Sequence, residues 1–450
     1  MKTLSAAGIQ SALAAVFAKT RGFLDSRDAT HSAVGLLALR RASAGDELAS
    51  IAAAHEVDGA LRRYLSQVER GRPQLAESLS TLLAPARREP TALAPLLRAI
   101  ADVPEVDGGD TLLAIMKLLA EQGKMSPAPV TGSNVLRLIA RLSRASEGAK
   151  VCDPFCGAGL LLAAIAVLLP AGHIAAALHG WERSVDAVAL ARAVLAAVGA
   201  DARIEVANAL VSPPAADPYD AVVSAPPFGV QPPPQLHLGA SERFRFGAPT
   251  RHADWLYAQH ALSILAPGGT AVLVMSRGPL FREGAEQEVR RGLIESDLVD
   301  SIIALPSGAL TGTAIPACLV VLRRDRPASR SGGVLFIDAS ARGPLGGDLT
   351  TDVVDAVERA YETGAESDGP TRARRVSVTE IAMADFSLEP GRHLPPEITG
   401  VERPLEEIVD ELHVARQRRE AASRRLKETF DHLLASQRVA LGPDAPPRRT

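Results

Sequence analysis

Two short segments carry residue types at spacings that could do chemistry. The first is DPFCGAG, Asp153 to Gly159, which closes an apolar run and opens a helical one. Gly157 and Gly159 would let the backbone turn tightly and approach a ligand closely, because glycine has no Cβ to obstruct either. A generic tight turn between strand and helix accounts for the same glycines. The second is SAPPFG, Ser224 to Gly229, where two prolines end an apolar strand and fix a rigid loop at its tip. Between the two lie Glu182 and Asn208. An acid about 20 positions beyond a glycine turn suits the hydroxyls of a bound ribose, a solvated helix-start glutamate being the plain alternative. Asn208 stands where a side-chain amide could read an adenine edge, although asparagine is also a common turn residue. A nicotinamide dehydrogenase would share the turn and the acid. However, DPFCGAG lacks the third glycine of that fingerprint, and nothing in a dehydrogenase requires PPFG.

Positioning these residues requires strands that end in line. KVCDP, AALHGWE, IEVAN, DAVVSAPP, TAVLVMS, VDSIIALP and ACLVVLRR are short, nearly continuous apolar runs, with helical stretches such as DAVALARAVLAAVGA between most of them. Uninterrupted apolar strands imply burial on both faces, hence a mainly parallel sheet covered by helices: an α/β, doubly wound, Rossmann-like domain over 126–340. Residues 1–125 predict a helical domain, because LLALRRASAGDELASIAAA and DTLLAIMKLLAEQ repeat apolar residues at three- and four-residue spacing. KMSPAPVTGS, rich in Pro, Gly and Ser, marks the boundary. Signals are weak over 341–400, read as a variable extension. A helix is predicted over 404–434 through Leu405, Ile408, Leu412, Leu426 and Phe430, and the GPDAPPRRT tail within 401–450 has a disordered composition.

DPFCGAG, PPFG and their order resemble the modification subunit family of type I restriction systems, which are N6-adenine DNA methyltransferases. HADWLYAQHALSILAPGGTAVLVMSRGPLFREGAEQEVRRGLIESDLVDSIIALPSGALTGTAIPACLVVLRR is similar to the family's stretch beyond the catalytic loop almost throughout. FAKTRGFLDSRDATHSAVGLLALRR resembles its N-terminal helical region, and VLFIDAS and FSLEPGRHL its later segments. The resemblance implies a class I methyltransferase fold, S-adenosylmethionine as cofactor and DNA as substrate. Asp153, Phe155, Gly157 and Gly159 would line the methionine and ribose end of the cofactor. Glu182 would take the ribose hydroxyls, Asn208 the adenine edge, and Thr131 would contact the cofactor ahead of the first strand. Pro226, Pro227 and Phe228 would form the catalytic loop, with Phe228 stacking on an adenine flipped out of the duplex.

Three departures bear on activity. The family places Asn, Asp or Ser directly before the two prolines, where its side chain accepts a hydrogen bond from the target amine. Ala225 stands there in this chain and has no acceptor. Ser224 lies one residue early, and adjacent side chains on a strand point to opposite faces, so it aims away from the cleft unless a bulge intervenes. APVTG at 128–132 replaces an aromatic-rich segment, and Asn208 an aspartate. Efficient adenine methylation is therefore in doubt. The alternative is a non-catalytic protein that binds S-adenosylmethionine or DNA in a regulatory or assembly role. A repurposed site acting on a better nucleophile in a small molecule or protein is the third reading.

Partners and compartment are less legible. Arg243, Arg245, Arg251 and His252 follow Phe228 near the expected mouth of the cleft; phosphate contacts or scattered surface charge account equally for them. In the resembled family a specificity subunit reads the DNA sequence. The 404–434 helix would dock on such a partner, on a second copy, or on its own domain. No GxxxxGK[ST] motor loop occurs. The net charge of -3 excludes a global basic field, and 47% hydrophobic against 22% charged residues indicates a globular protein with a sizeable core. Cys152, Cys156 and Cys318 form neither a disulfide framework nor a metal spacing, so a reducing cytoplasm without a metal site is expected. The opening MKTLSAAGIQSALAAVFAKT reads as a first helix rather than a signal peptide, since Ser5, Gln10 and Ser11 interrupt it. No apolar run is long enough to span a membrane.

Overall fold

Each of the seven apolar runs becomes a strand. They are β1 (Lys150–Asp153), β2 (Ala177–Glu182), β3 (Arg203–Val206), β4 (Tyr219–Ser224), β5 (Leu265–Ser276), β6 (Val299–Ala304) and β7 (Ala317–Arg323). Three more follow: β8 (Gly333–Asp338), β9 (Ser367–Asp368) and β10 (Arg372–Ser377). This computed structural model describes residues 24–394 except 44–45, 102, 104–106, 124–129, 169–176, 237–241, 250, 312, 314, 341–347, 365–366 and 369–370. Ile9 and helical positions between 409 and 424 are also described. The rest of the expected 404–434 helix, the N-terminal stretch before Leu24 and the tail lie outside the described residues.

The ten strands form one sheet in the order β9-β10-β8-β6-β7-β5-β4-β1-β2-β3. From β3 through β5 every pairing is parallel, which aligns the carboxyl ends of β1, β2, β3 and β4 on one edge. Beyond β5 the sheet becomes mixed, with β8 parallel to β6. β7 is antiparallel to both β5 and β6, and β10 is antiparallel to β8. β7 is buried on both faces, so its sequence reads like that of a parallel strand, and only the tertiary pairing reveals its direction.

Alternation along the strands feeds two cores. Ala221 and Val223 of β4 face the N-terminal helices, while Val222 faces the opposite layer with Trp255 and Leu293. The N-terminal helices are α1 (Ser26–Ala42), α2 (Glu47–Ala53), α3 (Val57–Gly71), α4 (Pro73–Arg87), α5 (Pro90–Ala101) and α6 (Gly108–Gly123). They are followed by α7 (Ser133–Leu142), α8 (Leu160–Leu168) and α9 (Val185–Val198). The cap of α9 is legible locally: Ser184 Oγ accepts from the Ala187 amide at 3.3 Å, and Gly199 ends it at φ +79°. α1 and α4 pack on α9, so the helical segment and the sheet share one core within a compact unit, 1–395.

Later helices complete this unit. α10 (Asp254–Ser263) and α11 (Ala285–Glu295) cover the second face, and α12 (Thr351–Thr363) packs against α7. Arg141 of α7 bonds Asp355 at 2.7 Å and Glu358 at 2.5 Å. Asp348 caps α7 from more than 200 positions away, accepting from Ser133 Oγ at 2.9 Å and the Asn134 amide at 2.8 Å. Because the first-turn amides of a helix otherwise lack partners, Asp348→Ala is expected to lower stability by about 1–2 kcal/mol. The check is a urea unfolding midpoint that falls while the slope of the transition stays constant.

Candidate functional site

Asp153 ends β1 and is fully buried. Its Oδ1 accepts from Ser224 Oγ at 2.6 Å and from the Phe155 amide at 3.1 Å, tying β1 to the neighbouring β4 and shaping the turn that follows. Burial raises the Asp153 pKa to about 7; the nearby Glu182 charge adds to that, and the two hydrogen bonds oppose it. Ser224 is itself fully buried, so its hydroxyl is committed below the loop rather than offered at its tip.

The turn is made by its backbone and closed by Glu182. The Cys156 amide donates to the Trp181 carbonyl at 3.0 Å, joining the turn to β2. Gly157 adopts φ +50° with nothing within 4 Å of where a Cβ would stand, leaving an open cradle above it. Gly159 serves packing as well. A Cβ there would lie 3.1 Å from the Ala191 Cβ, so the missing side chain lets α9 approach. Glu182 Oε2 accepts from the Gly157 amide at 3.2 Å and Oε1 from the Ser184 amide at 2.9 Å. Each oxygen keeps a further lone pair for a ligand hydroxyl.

Val206 of β3 pairs in register with Glu182, and it and Val185 are 52% and 62% exposed. Two exposed valines flanking an acid were not singled out from the sequence, because exposure has no local signal. Asn208 is half-buried, and its Oδ1 and carbonyl both accept from the Val211 amide three residues on, as at the start of an ordinary β-turn. Phe155 packs edge-on against Tyr257, ring centroids 4.6 Å apart. Thr131 is buried in a two-residue ladder in which it pairs with Leu310, beyond the carboxyl end of β6.

Beyond Ser224, Pro226 is buried, Pro227 exposed, and Ala225 and Phe228 half-buried against the first core. The loop is held from behind by three consecutive residues, of which sequence reasoning singled out His252 but missed Ala253 and Asp254. The Asp254 carboxylate accepts from the Gly229 amide, the Ala253 amide donates to the Val230 carbonyl at 2.8 Å, and His252 Nδ1 lies 3.4 Å from the Gly229 carbonyl. Burial pushes the Asp254 pKa up. His260, fully buried beneath Phe155 and Trp181, has its pKa lowered by burial to about 3 and is neutral.

The arginines singled out from the sequence lie in different surroundings. Arg243 donates to the carbonyls of Ala209 at 3.0 Å and Leu210 at 2.5 Å and stacks over Phe244, bracing the segment after β3. Arg245 lines a cavity with Leu262 and Leu298, residues that precede β5 and β6, which places it towards the opposite edge of the sheet. Arg251 is exposed and adjoins His252, beside the proline loop. Among the described residues there is no cluster of metal-ligating side chains, and no helix is long and apolar enough to cross a membrane.

Strand order, glycine turn, acid and proline loop define a methyltransferase framework, and residues 111–399 match the N-6 DNA methylase family model. The chain belongs to the N-6 DNA methylase family. It is 28% identical over 289 residues to the type I restriction enzyme HindI methylase subunit of Haemophilus influenzae, covering 61% of this chain and 65% of that one. It is 26% identical over 356 residues to the MpnII methylase subunit of Mycoplasma pneumoniae, covering 72% and 65%. The chain thus spans 65% of the length of each of these relatives. Its fold resembles the type I restriction-modification methyltransferase subunit from Streptococcus thermophilus, with a TM-score of 0.72 at 20% identity over 86% of this chain and 99% of that one. A modification subunit of a putative type I restriction enzyme from Vibrio vulnificus superposes with a TM-score of 0.62 at 16% identity, covering 85% and 94%.

The buried Asp153 sets a pH-dependent cost. Its folded pKa lies above the ordinary 3.8, so the folded state holds the proton more tightly and stability falls as pH rises from about 4 to about 7. Asp153→Asn keeps Oδ1 for both hydrogen bonds and removes the charge. This variant is expected to be more stable than the parent at pH 8 by about 2–4 kcal/mol, with the difference vanishing towards pH 4. Urea unfolding at both pH values tests this, and an equal difference at both would refute the charge as its cause.

Proposed function

We propose that this methylase-family chain binds S-adenosylmethionine in the cleft at the carboxyl edge of β1 to β4. It would act there as an adenine-N6 DNA methyltransferase subunit of the type I kind, with methyl transfer slowed by its own loop. The observation that carries the reading is Glu182 bridging the Gly157 and Ser184 amides beside an open cradle. Glu182 would accept the ribose hydroxyls, Val185 and Val206 would cover the adenine ring, and Asn208 would read its edge. Asp153, Phe155, Gly157 and Thr131 would face the methionine end. The cofactor supplies an electrophilic methyl group on a sulfonium.

What the chain must do is present an amine whose lone pair is delocalised into its ring. The Pro226 carbonyl can accept one hydrogen bond from that amine, and Phe228 would stack on the base. Ala225 offers no second acceptor, and Ser224 Oγ already donates to Asp153. Loss of one preorganised transition-state hydrogen bond costs on the order of 3 kcal/mol, or roughly a hundred- to a thousandfold in rate. The same commitment of Ser224 favours a second reading, a protein that binds cofactor or DNA without catalysis. Arg251 would contact phosphate beside the loop. A specificity subunit or a second copy would dock on the 404–434 segment, and the three free, buried cysteines suit a reducing cytoplasm.

Calorimetric titration with S-adenosylmethionine is expected to give micromolar binding, weakened at least about tenfold in Asp153→Ala and Glu182→Ala. Ala225→Asn is then expected to raise methyl transfer to DNA adenine by roughly a hundredfold or more. Cofactor binding without any gain in that variant would select the non-catalytic reading. No binding by the parent chain would overturn both for the isolated protein.

A further inference from the structure

The cavity beside Arg245 lies at the wrong edge of the sheet to serve the cleft. It has a volume of about 250 Å³, and its walls include Arg245, Phe246, Leu262, Leu298 and Arg324. Leu262 and Ser263 end α10, Leu298 precedes β6, and Arg324 follows the antiparallel β7, so the cavity opens where β5 and β6 begin. Asp153 and the proline loop sit at the other ends of these parallel strands, roughly 20 Å away for a six-residue strand.

Its walls are fixed by hydrogen bonds. Gln259 accepts from the Phe246 amide at 3.1 Å and donates to the Gly247 carbonyl at 2.8 Å, pinning the 242–247 segment to α10. Leu262, Leu298 and the Phe246 ring give an apolar side, and three guanidiniums stand against the single carboxylate of Glu242. Arg245 lies over the Phe246 ring at 4.7 Å and makes no ion pair among the described residues. Arg324 spends Nη1 on the Leu265 carbonyl at 2.7 Å, likewise without a carboxylate within salt-bridge distance among the described residues. A guanidinium carries five N–H donors, and their planar fork matches phosphate oxygens. Most of these donors therefore remain for a ligand.

We propose that this cavity binds a small organic phosphate of nucleoside monophosphate size, its phosphate held by Arg245 and Arg324 and its flat ring against Phe246, Leu262 and Leu298. The site is separate from the proposed cofactor cleft. It does not depend on methyl transfer.

The test is calorimetric titration of the full chain with adenosine monophosphate, adenosine and inorganic phosphate as probes. The monophosphate is expected to bind with sub-millimolar affinity, with the other two at least about tenfold weaker, because ring and charge both contribute. Arg245→Ala and the charge reversal Arg245→Glu should each weaken it about tenfold or more. Arg245 is exposed, so both variants should keep the parent unfolding midpoint. Glu182→Ala should leave monophosphate binding unchanged. Absence of binding to the parent, insensitivity to both Arg245 variants, or loss in Glu182→Ala, which would place the nucleotide in the cofactor cleft, each overturns the proposal.

Discussion

The hydrogen bond between Ser224 and Asp153 is the constraint on which the cleft depends. It joins the carboxyl ends of two adjacent parallel strands where both side chains are buried, so neither group can be released without leaving a buried polar atom unpaired. Phe155 donates to the same oxygen, and the turn after β1 therefore starts from a defined geometry. The cost is a carboxyl group held well above its ordinary pKa at the centre of the molecule. Such strain at a site is what a ligand with a complementary charge would relieve.

That bond also explains why the loop cannot repair itself. A serine one residue before an acceptor position looks interchangeable with it in sequence. On the strand it faces the opposite way, into the sheet, where Asp153 has already claimed its proton. The loop tip is then supported from behind by Asp254, Ala253 and His252, which hold the backbone of Gly229 and Val230. Rigidity of the loop thus survives where its acceptor has been lost.

The arginines divide by what surrounds them rather than by where they fall in the chain. Arg243 and Arg245 are two residues apart and both border the cavity, yet Arg243 is held by carbonyls of the segment after β3 while Arg245 is exposed. α10 links these regions, since its first residue holds the proline loop and its last turn lines the cavity.

The sequence by itself determined the seven strands β1 to β7 and offered Glu182 as the candidate acid. Each rests on local rules: apolar runs between turns, and Glu182 following a glycine turn. Helical periodicity likewise disclosed the N-terminal helices but not that α1 and α4 would share a core with α9. Tertiary structure alone decided the direction of β7, because a strand buried on both faces carries the same apolar pattern either way. It alone assigned Gly159 to packing on Ala191, Asp348 to the cap of α7, and Ser224 to Asp153. Each of these pairs residues dozens to hundreds of positions apart, and no local pattern encodes a partner that only folding brings into contact.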